Sequence, residues 1–512
     1  MSPIKSLLAL ILLLPMTLSA AVRPEFAALD AMPTSGTLVI PLRAEGDLPA
    51  ALPAALRGEL ESAISAASFK AKAGKSLKVF AAAGYDQVQL IGLGADAITA
   101  TALQNFGGSA ASTGAERISI LWQEDSNGVS TPAAHIAFGV TLGAYAFDKY
   151  KKSSKKEDAS PDPRVVIYSA APDASSAAWL SDWSGVAEAV YFTRDLINEP
   201  ANVIYPESFV TRTREAFSGL DNVSVKALDV RQMEKLGMGA LLGVGMGSQR
   251  PPRLLVVSYR GGPKNQAPLA FVGKGVTFDT GGISLKNPKG MWRMKYDMSG
   301  AAAVTGTVLA LAKRGAPVNA VAIAPLVENM PSQMAQRPGD IRTTMSGKTI
   351  EVLNTDAEGR LILSDAVWYA QKEFSPSVMV DVATLTGSVK VALGTTYAGL
   401  FSRQDGLANQ LVLAGAESGE EVWRLPLHAD FRKAIKSDIA DIKNVVEGGS
   451  GGASVGAEVI GSFVEPDTQW AHLDIAGKAW GFKAEPTAPK GAVGWGVRLL
   501  NQFVMDNYEA QP

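Results

Sequence analysis

The stretch Leu269-Ala-Phe-Val-Gly-Lys-Gly-Val-Thr-Phe-Asp-Thr-Gly-Gly-Ile-Ser-Leu-Lys286 decides the fold of the larger part of this chain. Its first four residues form a short apolar run, which is typical of a strand buried in a sheet. A glycine-rich loop follows directly and carries Lys274, Asp279 and Lys286. The pattern therefore predicts a buried strand that ends in a charged loop.

The residues on either side repeat this alternation of strand and helix. Further strands are predicted at 253–258, 319–326 and 377–382, and helices at 299–313 and 361–374. Strands that alternate with helices predict an α/β fold with a mostly parallel central sheet, covered by helices on both faces. Ligands bind such sheets at the carboxyl ends of the strands, which is where we expect a site.

The N-terminal part shows the same alternation on a smaller scale. A chain of 512 residues exceeds what a single core usually holds. Short strands are predicted at 37–42, 77–80, 87–91, 118–122 and 165–169. We therefore predict a smaller N-terminal α/β domain at 22–175, a connecting helix at 176–198 and a larger C-terminal α/β catalytic domain at 199–512.

The first 21 residues have the composition of a secretory signal peptide. Lys5 supplies a positive charge, residues 6–14 are almost wholly apolar, and Ser19-Ala20-Ala21 offers small residues for cleavage. The apolar run is too short to span a bilayer of about 30 Å. We predict an exported protein, periplasmic or secreted, with no membrane attachment after cleavage; an uncleaved anchor is the alternative.

Composition excludes several kinds of function. The formal net charge of -2 gives no reason to expect a nucleic acid partner. The chain has no cysteine, which excludes thiol nucleophiles and zinc–thiolate sites. Its three histidines, His135, His428 and His472, form no H-E-x-x-H motif, so a histidine-based zinc peptidase is excluded too.

A second charged segment, 354–361, reads Asn-Thr-Asp-Ala-Glu-Gly-Arg-Leu and places Asp356, Glu358 and Arg360 at alternate positions. In an extended segment these side chains would point the same way and favour a bound cation. Asp279 and Asp297 bring the carboxylates to four, which two divalent cations could neutralise. The alternative is a turn with solvated charges.

The two lysines of the glycine-rich loop have different predicted roles. Lys274 could bind a metal only as a neutral amine, which requires its pKa to fall from about 10.4 to below about 7. Lys286 can stay charged, polarise a substrate carbonyl and stabilise the developing oxyanion.

Five blocks of this sequence resemble, in order, the signatures of the leucyl aminopeptidase family of dinuclear metallopeptidases. These are 273–286, Asp297-Met298, 354–361, 381–387 and 470–477. The resemblance implies that Lys274, Asp279, Asp297 and Glu358 hold one divalent metal ion and that Asp279, Asp356 and Glu358 hold the other. Zinc and manganese are the metals we expect.

The resemblance also implies a mechanism. Two metals activate a hydroxide that attacks the N-terminal peptide bond, Lys286 stabilises the gem-diolate, and Arg360 holds a bicarbonate-like anion that shuttles the proton. Leucine or another apolar N-terminal residue is the expected preference. A homohexamer acting on peptides is the expected assembly.

The same resemblance suggests that four residues line the pocket for the first side chain: Met294, Thr384, Ala476 and Ala479. Ordinary core packing explains each of them equally well. Ala479 stands where relatives often have a bulkier residue, so the pocket could be wider. The roles of Glu458 and Lys478 stay open.

Two other interpretations are weighed against this one. Ser454 lies in a G-x-S-x-G pattern at 452–456, which would suit a serine hydrolase only with a strand before it and an Asp and a His after it. A non-catalytic binding protein of the same fold is the second. Against it, all seven positions carried over from the family hold chemically competent residues.

Overall fold

In the computed structural model, the structure describes residues 22–44, 48–123, 128–152 and 164–509. The segment 1–21, predicted as a signal peptide, lies outside these ranges. Within them, no helix combines the length and the apolar composition needed to cross a bilayer.

A six-stranded sheet forms the core of the N-terminal part. Its strands are β1 (Glu25–Ala28), β2 (Thr37–Arg43), β3 (Ser76–Ala82), β4 (Tyr85–Gly94), β5 (Arg117–Leu121) and β6 (Arg164–Ser169). They lie in the order β1-β6-β5-β2-β4-β3, and only the β3–β4 pair is antiparallel. The helices of this part are α1 (Ala54–Ala66), α2 (Ala100–Ala111), α3 (Pro132–Gly143) and α4 (Pro172–Ala178).

The C-terminal part is built on a nine-stranded sheet. In chain order, its strands are β7 (Val223–Leu228), β8 (Arg253–Arg260), β9 (Leu269–Gly273), β10 (Gly275–Asp279), β11 (Asn319–Asn329), β14 (Val378–Ala383), β15 (Ala398–Ser402), β16 (Val422–Arg424) and β18 (Trp470–Asp474). Two small sheets complete it, from β12 (Asp340–Thr343), β13 (Thr349–Val352) and β17 (Ile442–Lys443), and from β19 (Trp480–Gly481) and β20 (Gly491–Ala492).

The central sheet runs in the order β16-β15-β18-β14-β9-β11-β8-β7, with β10 paired to β11. The neighbours β18, β14, β9 and β11 are all parallel, whereas β7, β8 and β15 form antiparallel pairs. Every residue of β9, β11 and β14 is buried, as expected for strands covered on both faces. The predicted two-domain α/β fold with a mostly parallel central sheet is confirmed.

Helices cover both faces of this sheet. They are α5 (Ser184–Asn198), α6 (Pro206–Ala216), α7 (Val230–Lys235), α8 (Gly239–Gly245), α9 (Ser299–Lys313), α10 (Gly359–Phe374), α11 (Gly387–Leu393), α12 (Asp405–Ser418), α13 (Ala429–Ala434), α14 (Gly452–Gly461) and α15 (Val497–Tyr508). The faces hold separate cores: α9 and α15 pack on one side, and α8, α10 and α14 pack on the other. A π-helical turn, Trp179–Trp183, joins α4 to α5.

Candidate metal centre

Three strands of the central sheet deliver polar side chains to the same edge. Lys274 follows β9, Asp279 is the last residue of β10, and Thr384 follows β14. These strands run parallel to β11 or to one another, so their carboxyl ends meet. The site therefore lies at the edge of the sheet where the sequence predicts it.

Glycines let the backbone approach closely around Lys274. A Cβ on Gly273 would lie 2.4 Å from the carbonyl oxygen of Gly300, and one on Gly300 would lie 2.0 Å from that of Val382. Ala301 can therefore donate from its N–H to the carbonyl of Lys274 at 2.8 Å, while Lys274 donates from its own N–H to Val382 at 2.9 Å. These contacts fix the start of the Lys274 side chain.

Asp297 reaches the site from a different segment. It belongs to the 3-10 helix Met291–Met298, which leads directly into α9. Its side chain is buried, and its Oδ1 accepts a hydrogen bond from Oγ1 of Thr384 at 2.6 Å. The Asp297 carboxylate is thus positioned by its own 3-10 helix and by Thr384 at the end of β14.

Asp356 and Glu358 lie in the turn that leads into α10, not in an extended segment. The N–H of Asp356 donates to Oδ1 of Asn354 at 2.8 Å, closing a turn, and Glu358 has helical backbone angles of φ -80° and ψ -30°. The extended geometry predicted for this segment is wrong, because the chain turns here to begin the helix. Even so, ligand atoms of Asp279, Asp356 and Glu358 lie within 4.8 Å of one another.

The two lysines bridge the carboxylates in pairs. Nζ of Lys274 lies 2.7 Å from Oδ2 of Asp297 and 2.7 Å from Oε1 of Glu358, and it donates to the carbonyl of Thr384 at 2.9 Å. Nζ of Lys286 lies 2.7 Å from Oδ2 of Asp279 and also contacts Asp356. Six charged groups from four chain segments therefore form one network.

The carboxylates of this network are crowded. Burial raises the pKa of Asp279 well above its ordinary value, and repulsion from Glu358 and Asp297 adds to the effect. Burial also raises the pKa of Asp297 to about 6, although Lys274 opposes it. For Asp356, burial and Glu358 raise the pKa. Two ammonium groups do not neutralise four carboxylates, so further positive charge would be accommodated here.

The remaining charges respond to the same crowding. Burial alone would lower the pKa of Lys274, but attraction to Asp297, Glu358 and Asp279 outweighs it and raises the pKa. Burial alone would raise the pKa of Glu358, but attraction to Lys274 and Lys286 outweighs it, and the pKa is lowered. Its Oε2 is buried without a hydrogen-bond partner among the described residues. A carboxylate oxygen left free inside an anionic cluster fits a metal ligand.

Arg360 is the second residue of α10 and is buried. Its Nη1 donates to the carbonyl of Asn444 at 2.7 Å, and its Nε has no hydrogen-bond partner among the described residues. Burial lowers its pKa to about 10, so the guanidinium stays charged at neutral pH. A buried cation with a free donor is suited to holding an anion.

Comparison with known proteins identifies the protein family of this chain. Residues 191–501 match the cytosol aminopeptidase family, catalytic domain, and residues 39–154 match its N-terminal domain. The chain belongs to the cytosol aminopeptidase family. The predicted aminopeptidase activity, which makes the chain a hydrolase, is therefore confirmed.

Relatives and solved structures cover nearly the whole chain. A probable cytosol aminopeptidase of Chelativorans sp. (strain BNC1) is 45% identical over 94% of this chain and 97% of its own. One from Sinorhizobium fredii (strain NBRC 101917 / NGR234) is 48% identical over 88% and 92%. A tomato leucine aminopeptidase mutant superposes with a TM-score of 0.83, at 33% identity over 96% and 97%. A bottromycin maturation enzyme in complex with Mn gives 0.81, at 31% identity over 92% and 99%.

The comparison corrects the predicted localisation. We expected an exported protein, periplasmic or secreted, but the relatives are named cytosol aminopeptidases and point to a cytoplasmic protein. The prediction of export is therefore wrong. An apolar run at 6–14 is a compositional signal and is not sufficient evidence of export.

The four residues predicted to line the substrate pocket lie in different surroundings. Thr384 contacts the candidate metal centre, because its Oγ1 donates a hydrogen bond to Oδ1 of Asp297. Met294 is half-buried and Ala479 buried in the core on the α9 side, whereas Ala476 packs in a small separate cluster with Val389 and Phe401. The assignment of these four residues to the substrate pocket of this cytosol aminopeptidase stays a prediction.

The geometry does not favour the serine hydrolase alternative. Ser454 is buried in the first turn of α14, and the residues between β17 and that helix form no strand. His472, the histidine after it, is held by Asp381, with Nδ1 2.5 Å from Oδ1. The strand–turn–helix that exposes a nucleophilic serine is therefore missing from this described part of the chain.

The structure also places the two residues whose roles the sequence left open. Glu458 is fully buried on α14 and faces Arg403 and Arg432, whose nitrogens lie 3.5 Å and 3.4 Å from its Oε2. Lys478 donates from Nζ to the carbonyls of Thr395 and Thr396 at 3.1 Å and 3.0 Å. Arg432 lies on α13, whereas Arg403, Thr395 and Thr396 lie on loops.

Two asparagines that support the centre are absent from the sequence-based prediction. Asn329 ends β11 and donates from Nδ2 to Oδ1 of Asp279 at 2.9 Å and to the carbonyl of Thr355 at 3.0 Å. Asn444 donates from Nδ2 to the carbonyl of Asn354 at 2.7 Å. The position of Asn329, a polar residue at the end of an apolar strand, could have indicated a role in the site. The sequence around Asn444 contains no comparable signal.

Proposed function

We propose that this chain removes the N-terminal residue from peptides, with a preference for leucine or another apolar residue. The observation that carries the proposal is the convergence of four carboxylates and two lysines from four chain segments at the carboxyl ends of parallel strands. The similarity to a tomato leucine aminopeptidase supports the preference for leucine.

The proposed ligands of two divalent cations are Lys274, Asp279, Asp297, Asp356 and Glu358. Oxygen donors with a single amine suit zinc or manganese, and the manganese complex of the bottromycin maturation enzyme supports the latter. When bound, two such cations would lower the pKa of a water molecule and polarise the substrate carbonyl. Lys274 would then act as a neutral amine, because metal coordination requires its lone pair.

Lys286 and Arg360 are the proposed catalytic pair. Lys286 is only partly buried and ends in the centre, so its ammonium can donate a hydrogen bond to the oxyanion that forms when the carbonyl is attacked. Arg360 supplies a buried cation with a free Nε–H, which would hold a bicarbonate-like anion able to accept a proton. This arrangement gives a proton acceptor to a centre that has no histidine among these groups.

The substrate pocket and the assembly complete the proposal. Met294, Thr384, Ala476 and Ala479 would surround the first side chain of the peptide. The proposed assembly is a homohexamer, which the native mass in solution tests directly.

Replacement of Glu358 by alanine tests the metal-dependent mechanism. We expect Glu358→Ala to lose at least one metal ion per chain, measured by plasma mass spectrometry, and to lose hydrolysis of leucine p-nitroanilide. Glu373→Ala is the matched control, because Glu373 is exposed near the other end of α10. Full activity in Glu358→Ala would refute the mechanism.

Inhibitors separate the proposal from a serine hydrolase. A chelator should abolish activity, and refilling with zinc or manganese in turn should restore it; a panel of N-terminal residues assayed after each refill would define metal and substrate preference. Inhibition by a serine-directed fluorophosphonate, together with resistance to the chelator, would favour Ser454 instead.

A further inference from the structure

Four large apolar side chains are exposed on chain segments that adjoin residues of the candidate metal centre or of its proposed substrate pocket. Trp292 and Phe482 are 62% and 63% exposed, and Leu285 and Ile283 are 60% and 43% exposed. We call these four residues the rim. Leu285 adjoins Lys286 in the chain, and Trp292 belongs to the same 3-10 helix as Met294 and Asp297, so segments that carry the rim also carry the proposed catalytic lysine and a proposed pocket residue.

The aromatic part of the rim is an ordered cluster. The ring of Trp292 meets that of Trp480 edge-on, with centroids 6.1 Å apart, and Trp480 in turn contacts Tyr296 at 6.0 Å. The guanidinium of Arg293 lies 5.5 Å from the Trp292 ring and 5.6 Å from the Phe482 ring. The cation–π contact with Phe482 connects the 3-10 helix Met291–Met298 to the segment that follows β19.

The segment that carries three of the four rim residues has charges of one sign. Between Ile283 and Tyr296 the sequence contains Lys286, Lys289, Arg293 and Lys295, and no acidic residue. A surface that combines exposed aromatic rings with a guanidinium suits an apolar group that carries a carboxylate. The free C-terminal end of a short apolar peptide has this chemistry.

We propose that the rim binds the part of a peptide substrate that follows the cleaved bond, and that it favours short peptides with an apolar or aromatic second residue and a free C-terminal carboxylate. The inference rests on the proposed function. If the N-terminal residue sits in the metal centre, the rest of the peptide must leave past the segments around it, and the 3-10 helix that carries Asp297 also carries Trp292 and Arg293. Exposed apolar side chains that cluster as Trp292 and Phe482 do, on a shared guanidinium, mark a binding region.

A comparison of two substrates tests the rim separately from the centre. Leucinamide has no side chain beyond the cleaved bond, whereas Leu-Phe has an aromatic ring and a carboxylate there. We expect Trp292→Ala and Phe482→Ala each to lower the ratio of kcat/KM for Leu-Phe to kcat/KM for leucinamide about 10-fold, as loss of an apolar contact does. Trp423→Ala is the control, because Trp423 is 56% exposed and packs on Tyr397 in another region; its ratio should not change.

The carboxylate contact has its own test. Arg293→Gln should lower kcat/KM for Leu-Phe about 5- to 10-fold while kcat/KM for Leu-Phe amide changes less, since only the acid offers a charged partner to the guanidinium. Equal losses on the acid and the amide would overturn the assignment of Arg293.

Two results would overturn the role of the rim as a whole. The first is an unchanged substrate ratio in both Trp292→Ala and Phe482→Ala, which would show that the rim does not contact the peptide. If that result came with a smaller native mass, the rim would be a contact between copies of this chain. The second is failure of the wild-type protein to hydrolyse leucinamide or any peptide, which would overturn the proposed function and the inference with it.

Discussion

Asn329 donates a hydrogen bond from Nδ2 to Oδ1 of Asp279 across 2.9 Å and joins the ends of the parallel strands β10 and β11. The same amide donates to the carbonyl of Thr355 at 3.0 Å, and so it also holds the loop that carries Asp356. Oδ1 of Asp279 also accepts a hydrogen bond from the N–H of Gly281 at 2.8 Å, and Oδ2 is left to face Lys286. One buried side chain thus positions two of the proposed ligand segments.

Replacement of Asn329 is expected to weaken metal binding without removing a ligand. Outer groups that orient metal ligands typically change affinity about 10- to 100-fold when lost, and we expect Asn329→Ala to fall in that range in a competition assay with a chromogenic chelator. Asn319 starts the same strand and donates to the carbonyls of Pro263 and Gln266. Asn319→Ala should lower stability by about 1–3 kcal/mol and keep the metal affinity of the wild-type protein. Equal affinities in the two variants would contradict the role of Asn329.

A methyl group at Gly359 is expected to displace Lys274. A Cβ there would lie 2.8 Å from both Cδ and Cε of Lys274, which is too close for van der Waals contact. We expect Gly359→Ala to reduce metal affinity about 10-fold or more, measured by isothermal titration with manganese. Gly406→Ala serves as the control, because Gly406 is the second residue of α12 and a Cβ there would have no neighbour within 4 Å. The prediction fails if both variants bind manganese equally well.

Local sequence patterns were sufficient for much of the fold. The helix Ser299–Lys313 has the bounds that its pattern predicts, because fourteen small or apolar residues without a proline precede Lys313, and Gly315 and Pro317 follow as stop signals. The strand predicted at 319–326 continues to Asn329 in the structure. Its last residues include Glu328 and Asn329, which interrupt the apolar pattern, and for that reason the contribution of Asn329 to the site was missed.

Contacts between distant segments could not be predicted in this way. Asn444 lies about 90 positions after the loop that it supports, and its Oδ1 accepts a hydrogen bond from the N–H of Leu353 at 2.9 Å. The direction of Asp356 and Glu358 depends on a turn that leads into α10, whereas the alternating pattern suggested an extended segment. The cluster of carboxylates forms where the end of β10, the 3-10 helix Met291–Met298 and the turn before α10 meet, and the local spacing of the residues does not show this meeting.

Removal of the Lys286 side chain should lower turnover and spare the metals. Loss of one oxyanion-stabilising donor typically costs about 10²- to 10³-fold in kcat, and we expect Lys286→Ala to show this with leucine p-nitroanilide while its metal content equals that of the wild-type protein. Lys289→Ala, an exposed lysine of the same loop, should retain turnover. A parallel loss of metal in Lys286→Ala would show that Lys286 chiefly holds Asp279 and Asp356 in place.

The buried pair of His472 and Asp381 is expected to make stability depend on pH. Burial alone would lower the pKa of His472, but attraction to Asp381 and their hydrogen bond outweigh it and raise the pKa above its ordinary value. A histidine whose pKa is raised in the folded state stabilises the fold fully below its unfolded pKa of about 6.5, and this contribution is lost as the pH rises through the folded value. The difference in free energy of unfolding between the wild-type protein and His472→Gln should therefore be about 3–5 kcal/mol near pH 5.5 and smaller near pH 9, measured by urea denaturation. His428→Gln is the control, since the His428 side chain is 64% exposed and its loss should change the free energy of unfolding little at either pH. A difference for His472→Gln that stays constant or grows with pH would show that the imidazole is neutral in the folded protein.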